Sequence, residues 1–186
     1  MPPKTKITKD MIINGAIEVA KQSDYESINA RSVAEYLGCS TQPIMYHFAT
    51  IEDLKQAAYG QVDKMHSEYL MRVSSAEEPL LEIGLNYIRF AVEEPELFRF
   101  LFQSGYAKEN SLLEMVDSKE LRPVLATLRK ASGLTTKKLK QVFLTVALFV
   151  HGYASLIANN GLDYDEKLVS KHLEHAWNGA VLDATT

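Results

Sequence analysis

Residues 30–48 read ARSVAEYLGCSTQPIMYHF, and the order of capping, small and apolar residues in this stretch decides the fold. Asn29, immediately before it, is a strong helix N-cap, because its side-chain oxygen can accept from the first unpartnered backbone amides. Gly38 can take the left-handed conformation that stops a helix. A short helix is therefore predicted from residue 30 to Gly38, with Val33, Ala34 and Leu37 inward. Ser40 reads as the N-cap of a second short helix, which puts Pro43 in its first turn, where a missing amide costs little. Two short helices joined by a glycine turn make a helix-turn-helix. A steep crossing needs a small residue (Ala34), the turn glycine and an apolar anchor (Ile44) at the contact. It leaves the first residues of the second helix free to meet base edges in a major groove.

The flanking sequence supports this layout. Thr8 is an N-cap for a preceding helix to about Gln22, with Ile12, Ala16, Val19 and Ala20 on one face. Thr50 and Asp53 read as a capping box that opens a long helix to about Met71. Ser74, Ser75 and Pro79 mark a joint. Further helices are predicted at about 78–93, 96–103, 109–131, 136–159 and 165–181, with breaks at Glu94-Pro95, Ser104-Gly105, Ser132-Gly133 and Asn159-Asn160-Gly161. Apolar residues recur at spacings of three and four, and alternating β-branched runs are absent. The fold class is all-α, a three-helix helix-turn-helix head over residues 1–58 and a helical bundle body over residues 59–186.

Bulk composition narrows the function. The 186-residue chain is long enough to bury a core, and its 46% hydrophobic and 24% charged content is ordinary for a globular protein. The single cysteine, Cys39, can form neither an intramolecular disulfide nor a cysteine zinc site, so a reducing compartment is expected. The first ten residues have no apolar run of signal-peptide length. A cytoplasmic protein is expected. The net charge of −4 argues against non-specific coating of nucleic acid. Even the head is not basic overall, since Lys4, Lys6, Lys9, Lys21, Arg31 and Lys55 are balanced by Asp10, Glu18, Asp24, Glu26, Glu35, Glu52 and Asp53. Any DNA contact must be local and geometric.

Residues 8–58 resemble the DNA-binding domain of the tetracycline-repressor (TetR) family. Arg31, Ala34, Leu37, Gly38, Ser40, His47 and Phe48 fit the family pattern of an Arg-x-x-Ala helix, Leu-Gly-x-Ser, and an aromatic-rich recognition helix ending in Phe. The resemblance implies a homodimer on a double-stranded operator, a small-molecule effector bound by the body, and a dimer interface of four helices, two from each subunit. Two positions depart from the pattern. Met45 replaces the usual phosphate-contacting tyrosine, with Tyr46 next to it, and Ile51 replaces the usual lysine. Phosphate contact is accordingly expected from Tyr46, His47 and Lys55.

For base readout the expected residues are Thr41 and Gln42, beside Pro43. Gln can pair bidentately with adenine, and Thr can bond a base or phosphate and touch a thymine methyl, although simple solvent exposure is the alternative for Thr41. Arg31 can meet a phosphate or pair with Glu35 one turn on. Lys4 and Lys6 can form an arm near the backbone or a solvated tail.

The body is poor in chemistry. Tyr87, Phe90, Phe98, Phe100, Phe102 and Tyr106 cluster in sequence, which suits either a pocket wall or plain core. His151 precedes a helix-interior glycine, Gly152, which costs about 1 kcal/mol relative to alanine and so points to close packing or a ligand. Tyr87, Phe98, Phe102 and His151 are the expected effector residues, with a core histidine bonded to a neighbour as the alternative for His151. Residues 142–158 are apolar nearly all round but broken by Thr145, His151, Gly152 and Ser155, which fits a helix buried on two sides rather than a membrane span. Phe143, Val150, Val169, Leu173, Ala176 and Trp177 are the expected dimer contacts.

His172 and His175 lack companion ligands, so neither a metal nor another cofactor is expected. G-x-S-x-G, G-x-x-x-x-G-K-[ST] and H-E-x-x-H are all missing, which argues against an enzyme. The competing reading is a helical interaction module that does not bind DNA.

Overall fold

The computed structural model describes residues 7–73, 79–107, 111–119 and 121–186. Lys4, Lys6, Ser74 and Ser75 lie outside them. The described residues form helices and connecting turns, with no strand among them. The helices are α1 (Lys9–Gln22), α2 (Ala30–Tyr36), α3 (Gln42–His47), α4 (Ile51–Leu70), α5 (Pro79–Glu93), α6 (Pro95–Gln103), α7 (Leu112–Val116), α8 (Arg122–Ser132), α9 (Thr136–Asn160) and α10 (Glu166–Thr185).

Local chemistry sets most of these boundaries. The Thr8 hydroxyl accepts from the Met11 amide at 3.2 Å and opens α1. Asn29 Oδ1 accepts from the amides of Arg31 and Ser32, and the Ser32 hydroxyl accepts from the Asn29 amide at 3.1 Å, a reciprocal cap on α2. At its other end Gly38 sits at φ +63°, and the amides of Gly38 and Cys39 donate to the carbonyls of Glu35 and Ala34. This is the paired closure that a left-handed residue permits. Thr50 and Asp53 cap α4 in both directions.

Two expected boundaries change. The cap of α3 is Thr41 rather than Ser40, a shift of one residue that keeps Pro43 in the first turn. The single helix expected over 109–131 is two helices. Pro123 cannot donate to residue 119, and it occupies the first turn of α8, which begins at Arg122, instead of sitting inside a longer helix.

The contacts divide the chain into two compact units. One comprises residues through Asp63 together with Glu96–Ala107, and the other Lys64–Pro95 with Lys108–Thr186. In packing terms, therefore, nearly all of α6 and the loop after it go with the head. In this first unit Ile12, Ala16, Val33, Ile44, Phe48 and Leu54 are buried with Leu97, Phe98 and Phe100. A Cβ on Gly15 would stand 3.2 Å from the Leu37 side chain, so α1 and α2 approach closely there. In the second unit α5 packs on both α9 and α10. Gly84 marks their tightest point, where a Cβ would lie 2.5 Å from Leu173 Cδ2.

Candidate nucleic-acid interface and effector region

The recognition helix α3 has two differently used sides. Ile44 is fully buried, and Phe48, which follows the helix, is nearly so. Thr41 and Gln42 are exposed, Pro43 is half-buried, and Tyr46 is 84% exposed. The Thr41 hydroxyl makes no capping bond, so the local structure does not consume it. Burial of one face orients the helix, and the other face carries an amide, a hydroxyl and a phenol outward.

The expected phosphate contacts are placed less uniformly. His47 is half-buried and its Nε2 lies 3.2 Å from the Ile7 carbonyl oxygen, so its ring ties the end of α3 to the start of the described chain. Lys55 Nζ donates to the Glu26 carbonyl at 3.4 Å, across the loop between α1 and α2. Arg31 is exposed and, among the described residues, is not ion-paired with Glu35. Lys9 Nζ sits 5.2 Å from the Phe48 ring centroid, a cation–π contact. Tyr36, at the end of α2, is 46% exposed.

The four expected effector residues fall into two groups. Phe98 and Phe102 belong to the first unit, with ring centroids 4.8 Å apart. Phe98 is fully buried there and Phe102 is 38% exposed. Tyr87 and His151 belong to the second unit. The Tyr87 hydroxyl lies 2.8 Å from His151 Nδ1, and the Ser155 hydroxyl 3.3 Å from Nε2. Burial lowers the His151 pKa and raises that of Tyr87, so the pair is a neutral imidazole beside a protonated phenol. With Tyr87 donating to Nδ1, the Nε2–H is available to Ser155. His151 is thus bonded to its neighbours on both nitrogens.

His66 of α4 meets the Tyr87 ring edge-on at 5.1 Å and the Phe90 ring at 4.8 Å. Burial pushes its pKa down to about 3. A histidine neutral in the fold and protonatable when unfolded gives stability that is fully present above the unfolded value near 6.5 and lost as pH falls toward 3. Below pH 6.5 the unfolding equilibrium should shift by up to about tenfold per pH unit from this group alone. Denaturant unfolding of wild type and His66→Gln between pH 4 and 8 checks this, and parallel pH profiles would rule it out.

Of the expected dimer residues, Phe143, Ala176 and Trp177 are half-buried and keep surface for a second copy, whereas Val150, Val169 and Leu173 need correction. Val150, Val169 and Leu173 are 5%, 0% and 0% exposed within the single chain, so their side chains cannot reach a second copy. Phe143 and Trp177 pack against the core of Leu70, Ile83, Val124, Leu128 and Leu139. The reason is helical phase: the stripe carrying Val169 and Leu173 faces the body. Among the exposed positions of α9, Thr145, Leu148, Gly152 and Leu156 form a weakly polar stripe, and among those of α10, Leu168, His172, His175, Gly179 and Leu182 form another. Each set follows spacings of three and four along one side of its helix. By length and composition α9 is apolar enough to cross a membrane, but its buried positions pack on α5 and α10 as a core helix's do.

A helix-turn-helix whose recognition helix is held on one face, joined to an all-helical body, defines a class of DNA-binding regulator. Residues 80–176, more than half of the chain, match the family model described as tetracyclin repressor-like, C-terminal domain. The chain belongs to the TetR family of transcriptional regulators, which pair a DNA-binding helix-turn-helix with a ligand-binding C-terminal domain and act as dimers.

Solved structures share the fold. A TetR-family regulator from Streptomyces coelicolor is 14% identical with a TM-score of 0.74, over 95% of this chain and 81% of that one. The multidrug binding protein EbrR, complexed with imidazole, is 19% identical with a TM-score of 0.61, over 90% and 93%. A TetR regulator from Rhodococcus is 15% identical with a TM-score of 0.54, over 93% and 94%. No curated protein sequence matches significantly.

Proposed function

We propose that this regulator binds a palindromic operator as a homodimer in the cytoplasm, represses from it, and is released by a small-molecule effector. One observation carries the DNA reading: Ile44 and Phe48 are buried while Thr41, Gln42 and Tyr46 on the same short segment face outward. Gln42 and Thr41 then read base edges, and Tyr46 and Arg31 contact phosphates. The uncovered stripes of α9 and α10 supply the dimer contact. Gly152 and Gly179 have nothing within 4 Å of a built Cβ in their own chain, so a helix from a second copy can approach closely there.

In such a dimer the two recognition helices must stand about one DNA turn apart, roughly 34–36 Å. An effector favouring a conformation with a different spacing releases the operator by linkage, without touching the DNA surface. No catalytic step enters this account.

The test is selection of bound duplexes from a random pool by the full-length chain, followed by titration of the enriched sequence at several salt concentrations. An inverted repeat bound by two chains is expected, with affinity falling steeply as salt rises. Failure to retain any duplex at low salt would favour an interaction module that does not bind DNA.

A further inference from the structure

The most distinctive unassigned feature of the second unit is a groove of about 270 Å³ where α7, α8 and the start of α9 meet. It is just below the size range of ligand clefts, about 300–1,000 Å³, which suits a small ligand. Its lining combines two chemistries. Val116 and Leu139 are almost fully buried, and with half-buried Leu125 they present an apolar floor. Arg122 and Arg129 stand at the rim, both exposed, and neither is ion-paired among the described residues. Lys140 lines it too, paired with Asp117.

Helical phase explains why these groups share one face. Arg122, Leu125, Ala126 and Arg129 are separated by three, one and three positions, which is a single stripe of α8. The two guanidinium-bearing residues are seven positions apart, roughly 10 Å along the axis at about 1.5 Å per residue, with the apolar positions between them. Thr136 and Lys140, one turn apart, bring the N-terminal end of α9 to the same groove, where the helix dipole adds positive potential. Three cationic side chains against one carboxylate line this groove in a chain whose net charge is −4. Arg129 lies in the last turn of α8, where a cation also suits the helix dipole, but neither arginine is ion-paired among the described residues.

We propose that this groove binds a small amphipathic anion, a single carboxylate on a short apolar chain. Arg122 or Arg129 takes the carboxylate in a charge-assisted, bidentate bond, and Leu125, Ala126 and the methylene stems of the arginines take the chain, over a floor closed by Val116 and Leu139. The site is distinct from the Tyr87–His151 pair, and it deepens the effector reading by naming a ligand class. Only its consequence at the operator rests on that reading, because binding is measured without DNA.

The experiment is calorimetric titration of the full-length protein with octanoate, with octan-1-ol, and with vesicles of mixed anionic and neutral phospholipid. Saturable binding of octanoate is expected, at least tenfold tighter than octan-1-ol and weakened by salt. Arg122→Gln/Arg129→Gln should lose at least tenfold in octanoate affinity with unchanged thermal unfolding, both side chains being exposed. Ala126→Phe, which obstructs the groove without altering charge, should weaken octanoate binding as well.

Equal affinity for octan-1-ol, full octanoate affinity in the double variant, or binding to vesicles but not to free octanoate would each overturn the proposal. A separate titration of the selected operator duplex keeps the two readings apart. Octanoate binding with unchanged operator affinity would leave the groove standing and remove the effector role.

Discussion

Phe100→Ala should lower stability by about 3–5 kcal/mol, the cost of deleting a buried aromatic side chain and leaving a cavity. The ring is fully buried in the first unit. It stacks on Tyr25 at 5.4 Å with an interplanar angle of 6°, and meets the edges of Tyr59 and Tyr106 at 5.9 and 5.8 Å. Tyr59 also donates to the Leu101 carbonyl at 3.4 Å, and Tyr106 bonds the Glu52 carboxylate, which together with burial raises its pKa. No other segment can refill the space, because its neighbours come from α1–α2, α4 and the end of α6. For a chain of this size the loss corresponds to a fall in Tm of roughly 6–20 °C. Thermal unfolding followed by circular dichroism measures it. A change below about 1 kcal/mol would show that residues 96–107 are not part of the head's core. Operator affinity should fall with stability, since the ring is part of the core of the unit that carries α3.

Gln42→Ala should behave in the opposite way, leaving Tm unchanged while weakening operator binding by about 1–3 kcal/mol, roughly 5- to 150-fold. Gln42 is exposed at the first position of α3 and packs nothing away from water. Its removal therefore costs the fold little, within about 0.5 kcal/mol. The loss should also be specific. Bidentate readout of one adenine predicts that the variant stops discriminating at one base pair of each half-site and keeps its preference elsewhere. Fluorescence anisotropy against a panel of single-base operator variants separates the two effects. A uniform loss at every position would instead assign Gln42 to the phosphate backbone.

The head was largely legible in sequence because its signals are local. A cap such as Asn29 needs only the next three residues, and Gly38 terminates α2 through its own φ and two backbone bonds. Ile44 could be assigned as the inward anchor from spacing alone. The α3 cap falls at Thr41 rather than Ser40 although the Thr41 hydroxyl makes no capping bond, so side-chain cap chemistry does not set this boundary. Pro123 was a local signal as well, since it sits in the first turn of α8 and suits a helix start rather than a helix interior.

Long-range packing was beyond the same reasoning. An aromatic run from Tyr87 to Tyr106 looks continuous in sequence, yet Glu94-Pro95 separates residues that pack with the body from residues that pack with the head. His151 could be placed in a helix but not paired with Tyr87, sixty-four residues away. The phase of α10 failed for a related reason. Val169, Leu173 and Trp177 make an apolar stripe, but Leu168 and Leu182 make another, and periodicity does not say which one meets the chain's own core.

The sequence by itself determined the element types, the capped and glycine-terminated helix-turn-helix, and the outward residues Thr41 and Gln42, because each depends on interactions within about one helical turn. Only the tertiary structure decided that residues 96–107 pack with the head, that Val169 and Leu173 face inward against α5, and that Arg122 and Arg129 flank an apolar groove. Those outcomes follow from which of several chemically similar surfaces come together, and burial of apolar area is non-directional, so the pattern of residues alone leaves the choice open.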